Sequence, residues 1–238
     1  MTSIRYLCMA MLIGLLSMAT SADVAPVVFD NQYKARLYGF NISVTNTLTH
    51  QGDNRYELVF KFNSMVGTIT ESSQLEWMPD TQAVRPLHYT YKRRGLGKDR
   101  DADLQFNWDT QSVINHVQKS TWKMGITDAV QDKLSYQAQL QLDLLKGLES
   151  FSYHIADGGR LKDYNFIIVG EEQLDTPLGQ VNTIKVKRSR ENDDRVTYAW
   201  LAKDWKYLLV RLQQEEDGKK TTIYIHKASI DGKRIEKF

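Results

Sequence analysis

Most of the chain after residue 32 alternates between apolar and polar residues, with β-branched and aromatic side chains at the apolar positions. Short turns rich in Gly, Asn and Asp separate these stretches. When the period is two, successive side chains point to opposite faces of a strand, so the pattern indicates half-buried β-strands. The predicted strands are residues 33–38, 40–48, 55–62, 68–77, 84–92, 101–108, 112–117, 151–155, 161–170, 179–189, 195–201, 207–213 and 221–230.

One segment has the period of a helix. Between residues 128 and 148, apolar residues recur three or four positions apart, at Val130, Leu134, Ala138, Leu142 and Leu145. That spacing forms a stripe along one helix face. Thr127 or Asp128 would cap its start, and Gly147 lies near its end. Strands, one helix and strands again predict an α+β, mainly β fold: a curved antiparallel half-barrel sheet with one amphipathic helix around residues 128–148.

The N-terminus has the features of a secretory signal peptide. Arg5 precedes an apolar run at residues 6–18, and Thr20 and Ala22 suit the small positions before a cleavage site. The run is shorter than the ~20 residues that cross a bilayer as a helix. We expect residues 1–22 to be removed, leaving a single β-rich domain at residues 23–238. The predicted location is the periplasm, with no transmembrane segment in the mature chain.

Cysteine and charge exclude several kinds of protein. Cys8 is the one cysteine and lies within the predicted signal peptide, so the mature chain would have no disulfide, thiol nucleophile or cysteine metal site. The formal charge of the chain is +2, and removal of Arg5 makes it +1. This balance argues against a nucleic-acid-binding protein, which would carry a concentrated basic face.

A resemblance to a known family covers most of the mature chain. It is carried by residues 176–186 (TPLGQVNTIKV), followed by Arg195, Trp200 and Asp204, and by a first half that contains Tyr38-Gly39-Phe40 and ends a long meander at Trp77. These features resemble the bacterial family named domain of unknown function 3108 (DUF3108). The resemblance implies a curved antiparallel sheet, loosely similar to the half-barrels that carry lipoproteins across the periplasm. It implies no established activity.

Motifs for catalysis are missing from the sequence. His50, His88, His116, His154 and His226 do not form a zinc motif, and there is no Gly-x-Ser-x-Gly elbow or phosphate-binding loop. Asp99, Asp101 and Asp103 share one strand face, where they would bind a hard cation or, as the favoured interpretation, protect an exposed edge. We therefore expect a protein that is not an enzyme, with no catalytic residues, metal or cofactor.

The aromatic content suggests a binding surface. A curved sheet has a concave face that a helix or an apolar ligand must fill. If the helix covers only part of that face, six aromatic residues would line a cavity for an acyl chain: Phe60, Phe62, Trp77, Tyr89, Phe106 and Trp108. A basic loop contains Lys92, Arg93, Arg94 and Lys98, which would meet anionic lipid or an envelope protein.

Three functions remain open. The first is non-catalytic binding of a hydrophobic ligand or envelope component. The second is a structural or protein-interaction role in the envelope, through sheet edges and the basic loop. The third is a hydrolase whose site is assembled from residues far apart in the sequence.

Overall fold

One large antiparallel sheet contains every strand of the computed structural model, which describes residues 24–37, 40–95, 97–190 and 195–238. The predicted signal peptide, Tyr38, Gly39 and Leu96 lie outside these residues. The strands are β1 (Phe29–Leu37), β2 (Phe40–Gly52), β3 (Arg55–Ser64), β4 (Gly67–Met78), β5 (Ala83–Gly95), β6 (Arg100–Asn107), β7 (Ser112–Val117), β8 (Ser120–Gly125), β9 (Ser150–Asp157), β10 (Arg160–Thr176), β11 (Gly179–Arg190), β12 (Val196–Ala202), β13 (Leu208–Glu216), β14 (Lys219–Ile230) and β15 (Lys233–Ile235).

The sheet curves so that its two edge strands approach each other. The strand order shows which strands these are. This order is β8-β7-β6-β5-β4-β3-β2-β1-β14-β13-β12-β11-β10-β9, and β15 also pairs with β14. Strands β8 and β9 are thus the two edges of the sheet. At one end the edges approach each other: a Cβ built on Gly159, in the β9–β10 turn, would lie 3.0 Å from Cγ of Trp122 on β8. The predicted mainly β, curved antiparallel fold is confirmed.

The helix is shorter than the predicted residues 128–148. Helix α1 comprises Tyr136–Leu145, and the preceding segment is irregular. Gln131 instead makes a parallel bridge to Ile155 of the edge strand β9. The turn is fixed by Asp132, whose Oδ1 accepts hydrogen bonds from the backbone N–H groups of Leu134 and Ser135, both at 2.7 Å. The apolar spacing before residue 136 therefore reflects burial of a turn.

Gly147 lies just beyond the end of α1, near the predicted end. Its N–H donates to the carbonyl oxygen of Leu144 at 2.9 Å, and the N–H of Leu148 donates to that of Asp143 at 3.1 Å. These two bonds form a Schellman motif. Among the described residues, no helix has the length and apolarity to cross a membrane.

The sequence prediction lacks two of the strands, β8 and β15, and ends β10 six residues too early. Strand β8 carries mostly exposed side chains and β15 has three residues, so neither has a measurable apolar period. Strand β10 continues to Thr176 rather than ending at Gly170, because it pairs with β11 beyond a register shift between Ile168 and Gly170.

The helix is buried on nearly all sides, so it is not a surface helix with an exposed polar face. Its buried residues include Gln139, Gln141 and Asp143 as well as the apolar ones. The Gln139 side chain accepts a hydrogen bond from the N–H of Val84 at 2.9 Å and donates to Asp143 at 2.9 Å. Gln141 donates to the carbonyl oxygen of Lys206 at 2.7 Å. These bonds offset the cost of burying the amide groups.

Candidate functional site

Helix α1 divides the interior into two regions. Toward β2–β7, Leu134, Ala138 and Leu142 pack into a dense core; its other buried members are Leu48, Leu58, Leu75, Trp77, Val84, Tyr89, Leu104, Val113, Ile126, Val130 and Ala156. Toward the carboxyl-terminal strands, Leu140 and Leu144 pack against β9–β12. The first region is filled by protein, whereas the second retains a cavity.

Five of the six predicted ligand-binding residues lie outside that cavity. Trp77 and Tyr89 are buried in the core toward β2–β7, and Phe106 and Trp108 stack against each other beside it, with ring centroids 6.0 Å apart. Phe62 packs against a second cluster, formed by residues of β1, β2 and β11–β15. Phe60 is the one predicted residue that lines the cavity.

A buried carboxylate, Asp132, lies at the base of the dense core. Its Oδ2 accepts a hydrogen bond of 2.5 Å from the hydroxyl of Ser73, in addition to the two backbone bonds to its Oδ1. Burial raises the pKa of Asp132 to about 6, and these hydrogen bonds oppose the shift. Because its contacts hold the turn that precedes α1, we interpret Asp132 as a structural residue.

Further charged groups lie close enough to Asp132 to interact with it electrostatically. The hydroxyl of Tyr89 donates to Glu71 at 2.5 Å, and burial raises the pKa of Glu71. Asp157 lies 4.0 Å from Lys133 and 2.5 Å from Lys162. Burial opposes the effect of these two lysines, but they lower the pKa of Asp157 overall. The cavity beside Tyr89 and Asp157 measures about 10 Å³, which has room for about one water molecule.

Two histidines pair with aspartates across strands. Nε2 of His88 lies 2.8 Å from Asp103, and Nδ1 of His154 lies 2.5 Å from Asp163. Both pairs are substantially exposed. In the described parts of the chain, no three His, Asp or Glu side chains form a group with the geometry to hold a metal ion.

The predicted basic loop is mostly the end of a strand. Lys92, Arg93 and Arg94 belong to β5, and Lys98 lies in the turn before β6. Arg94 donates to both carboxylate oxygens of Asp101, at 2.7 and 3.0 Å, and lowers the pKa of that carboxyl. Arg93 donates to the carbonyl oxygen of Lys98 at 2.8 Å. Part of the positive charge is therefore neutralised locally.

The cavity lies between α1 and the strands β1–β3 and β10–β14. It has a volume of about 160 Å³ and is partly open to solvent. Its lining residues are Phe29, Asn31, Tyr33, Val44, Asn46, Phe60, Tyr136, Gln137, Leu140, Gln141, Phe166, Val186, Arg188, Thr197, Ala199, Leu201, Tyr207, Leu208, Leu209, Leu212, Gln214 and Ile223. Most of these side chains are apolar, and the polar ones are grouped.

The strand register arranges one wall of the cavity in rows. The first row is polar and crosses the ends of three strands: Arg188 pairs with Thr197, which pairs with Gln214. The next row, two residues deeper, is apolar and comprises Val186, Ala199, Leu212 and Ile223. A wall with a polar edge and an apolar interior suits a ligand that has both characters.

A second polar group lies on β1 and β2. Asn31 and Asn46 occupy directly opposed positions in the register and are 1% and 4% exposed. The side-chain amide of Asn46 donates to Gln137 of α1 at 3.2 Å. The Oδ1 atom of each asparagine is buried without a hydrogen-bond partner among the described residues. Both residues line the cavity, and each contributes a buried acceptor atom without a partner to its wall.

Sequence reasoning missed most of the cavity residues, although one signal was available. Arg188 falls on the same alternating face of β11 as Ile184 and Val186, and Asn46 falls on the same face of β2 as Val44. A polar residue at an inward position of a strand indicates either a buried hydrogen-bond network or a ligand site. Most of the aromatic residues that the composition favours lie instead in the region that the helix fills.

Comparison with protein families gives a clear result. The model of the family described as protein of unknown function (DUF3108) matches residues 32–223. The chain belongs to this family. The DUF3108 match covers both halves of the sheet as well as α1, and it confirms the resemblance seen in the sequence. No curated protein matches the chain.

A solved structure has a similar fold. It is a crystal structure of a β-barrel-like protein of domain of unknown function DUF1849 from Brucella abortus, with a TM-score of 0.60 and 10% sequence identity. The similarity covers 88% of the present chain and 100% of the Brucella chain. At this identity the match shows that the DUF3108 protein shares a β-barrel-like fold, and it shows nothing about activity.

Proposed function

We propose that this DUF3108 protein is an exported, non-catalytic protein of the bacterial periplasm that binds an apolar ligand in the cavity beside α1. The observation that carries the proposal is the cavity itself, an apolar space of about 160 Å³ that the helix leaves unfilled. An engineered protein cavity of similar size, about 150 Å³, binds benzene. The space therefore suits an aromatic ring or part of an acyl chain, and the rest of a longer ligand would extend through the open side of the cavity.

The two sides of α1 support the same proposal. Toward β2–β7, the described residues leave a space of only about 10 Å³, so this sequence is capable of filling an interior. Toward the carboxyl-terminal strands, Leu140 faces a space lined by Val186, Ala199 and Leu212. Small or branched side chains occupy positions where larger ones would close the cavity. Leaving such a space costs stability, because its lining atoms lose packing contacts.

Titration with the uncharged fluorescent probe N-phenylnaphthylamine tests this proposal in the mature protein. We expect probe fluorescence to rise to saturation, and we expect Ala199→Phe to abolish the rise because the phenyl ring occupies the cavity. The matched control is Gln74→Phe, which adds the same ring at an exposed position between the buried Ser73 and Leu75. The control should bind as the unmodified protein does.

The second filling variant is Val186→Phe, which enters the cavity from the neighbouring strand. It provides the test if Ala199→Phe does not fold, as judged by its thermal unfolding. Probe binding that is absent in the unmodified protein, or that is unchanged in a folded filling variant, would overturn the proposal.

A further inference from the structure

We infer that Arg188 binds the anionic headgroup of the ligand, so that the protein selects anionic amphiphiles with a carboxylate or phosphate group. The inference rests on the proposed function, because it concerns the same cavity. It adds the class of ligand and the residue that recognises it. Two structural observations carry it: the missing counter-ion of Arg188 and the position of Arg188 above the apolar row.

The guanidinium group of Arg188 is held in place by neutral partners. Nη1 donates to the hydroxyl of Tyr136 at 3.0 Å, and Nη2 donates to the hydroxyl of Thr197 at 2.9 Å. The group also lies 5.1 Å from the ring centroid of Tyr164 and 6.0 Å from that of Tyr136. These contacts fix the plane of the guanidinium group and leave its charge uncompensated.

Among the described residues, no carboxylate lies within 4.0 Å of Arg188, and its Nε atom is buried without a hydrogen-bond partner. A partly buried cation is costly unless it is paired. The nearby carboxylates at the end of β13 have other partners: Glu216 contacts Arg195 at 2.5 Å, and Glu215 contacts Lys220 at 3.0 Å. The fold thus keeps one cation in the cavity wall without an acidic partner.

The chemistry of a guanidinium group indicates which class of ligand it binds. A guanidinium has five N–H donors in one plane and no acceptor, which matches carboxylate and phosphate oxygens. Two of its N–H groups contact Tyr136 and Thr197, so others are left to donate to an anion. An anion at Arg188 would place its attached chain beside Val186 and Ala199, in the next row of the wall.

Competition against N-phenylnaphthylamine tests the inference with four ligands that share one chain: decanoate, decyl phosphate, decanol and decyltrimethylammonium. We expect decanoate and decyl phosphate to displace the probe at concentrations about tenfold or more below that of decanol, because a charge-assisted hydrogen bond is added. Decyltrimethylammonium should bind most weakly. The order of the two anions tells whether the ligand resembles a fatty acid or a lipid phosphate.

Substitutions of Arg188 test whether this residue causes the preference for anions. Arg188→Gln should remove the difference in affinity between the two anions and decanol, whereas Arg188→Lys should retain part of the preference. The matched control is Arg211→Gln. Arg211 also has a buried Nε without a partner, but it lies over the rings of Trp200 and Tyr224 and does not line the cavity.

The outcomes separate the two proposals. If decanol and decanoate bind the unmodified protein equally, the headgroup inference is wrong and the cavity proposal stands. If no decyl ligand displaces the probe and the probe itself does not bind, the proposed function fails. An anion preference that survives Arg188→Gln would overturn the role of Arg188. The comparison of decanoate with decanol needs no variant, so it does not depend on the folding of Arg188→Gln.

Discussion

Asn31 and Asn46 face each other across β1 and β2 inside the cavity, and each has a buried Oδ1 atom without a hydrogen-bond partner among the described residues. A buried acceptor without a partner costs about 1–3 kcal/mol. A protein that used this region only as a core would gain stability from apolar residues at these positions. The present pair of asparagines therefore lowers the stability of the fold.

We predict that Asn31→Leu leaves the free energy of unfolding unchanged or raises it by about 1 kcal/mol, because leucine has a similar shape and no unsatisfied acceptor. The hydroxyl of Tyr33 loses its contact with the Asn31 side chain and keeps its hydrogen bond to the carbonyl oxygen of Leu209. Asn46→Leu should be less stable than Asn31→Leu by about 1 kcal/mol, since it removes the bond to Gln137. Urea denaturation measures both values, and the reverse order would contradict the prediction.

The pKa of Asp132 predicts how stability depends on pH. In the folded protein burial raises this pKa to about 6, from an ordinary value of 3.8. The folded state therefore binds a proton more tightly than the unfolded state does. The resulting stabilisation is complete below pH 3.8 and is lost as the pH rises through 6. The difference between these two pKa values corresponds to roughly 3 kcal/mol.

Asp132→Asn should remove this dependence while keeping an acceptor for the N–H groups of Leu134 and Ser135. Between pH 4 and pH 7, we expect the free energy of unfolding of the unmodified protein to fall relative to that of the variant. Urea denaturation at four pH values in this range gives the difference. Parallel pH profiles for the two proteins would show that Asp132 does not carry the shift.

The bond between Tyr89 and Glu71 should stabilise the protein more at neutral pH than in acid. Tyr89→Phe removes the hydroxyl that donates to the carboxylate at 2.5 Å, so we expect a loss of about 1–3 kcal/mol at pH 7. The loss should be smaller at pH 4, where a carboxyl with a raised pKa is largely protonated. Tyr224→Phe, at a site that is 42% exposed, is the control and should change stability little. An equal loss at both pH values would contradict this prediction.

Gly95 should be far less tolerant of substitution than Gly158. Their φ angles are nearly the same, +65° and +64°, so alanine suffers similar backbone strain at both positions. A Cβ at Gly95 would clash with the backbone oxygen of Val66, whereas one at Gly158 meets no atom within 4 Å. We expect Gly95→Ala to lose about 1–3 kcal/mol more than Gly158→Ala in thermal or urea denaturation. Equal losses would contradict this prediction, because they would show that the β3–β4 turn can move away from residue 95 at little cost in stability.

The strands of this protein follow from its sequence more directly than the helix does. Alternation along residues 40–48 or 179–189 leaves one apolar face, and the antiparallel order of neighbours follows from short turns. The start of α1 was placed too early because Val130 and Leu134 are buried for another reason: Asp132 holds them in a turn against β9. Local spacing does not distinguish a buried turn from a helix.

The candidate site was harder to predict than the fold. Which half of a curved sheet is filled depends on where α1 packs, and that depends on contacts between residues far apart in sequence. Trp77 and Tyr89 were reasonable candidates on composition, but they pack against residues of the segment before α1. Arg188 becomes notable only once the structure shows Thr197 and Tyr136 beside it and no carboxylate within reach among the described residues.

A crystal structure of the mature protein grown with decanoate tests the central claim most directly. The account predicts an acyl chain between Leu140 of α1 and the row formed by Val186 and Ala199, with the carboxylate within hydrogen-bonding distance of Arg188. A cavity closed by rearranged side chains, or decanoate bound only on the outer surface of the sheet, would contradict it.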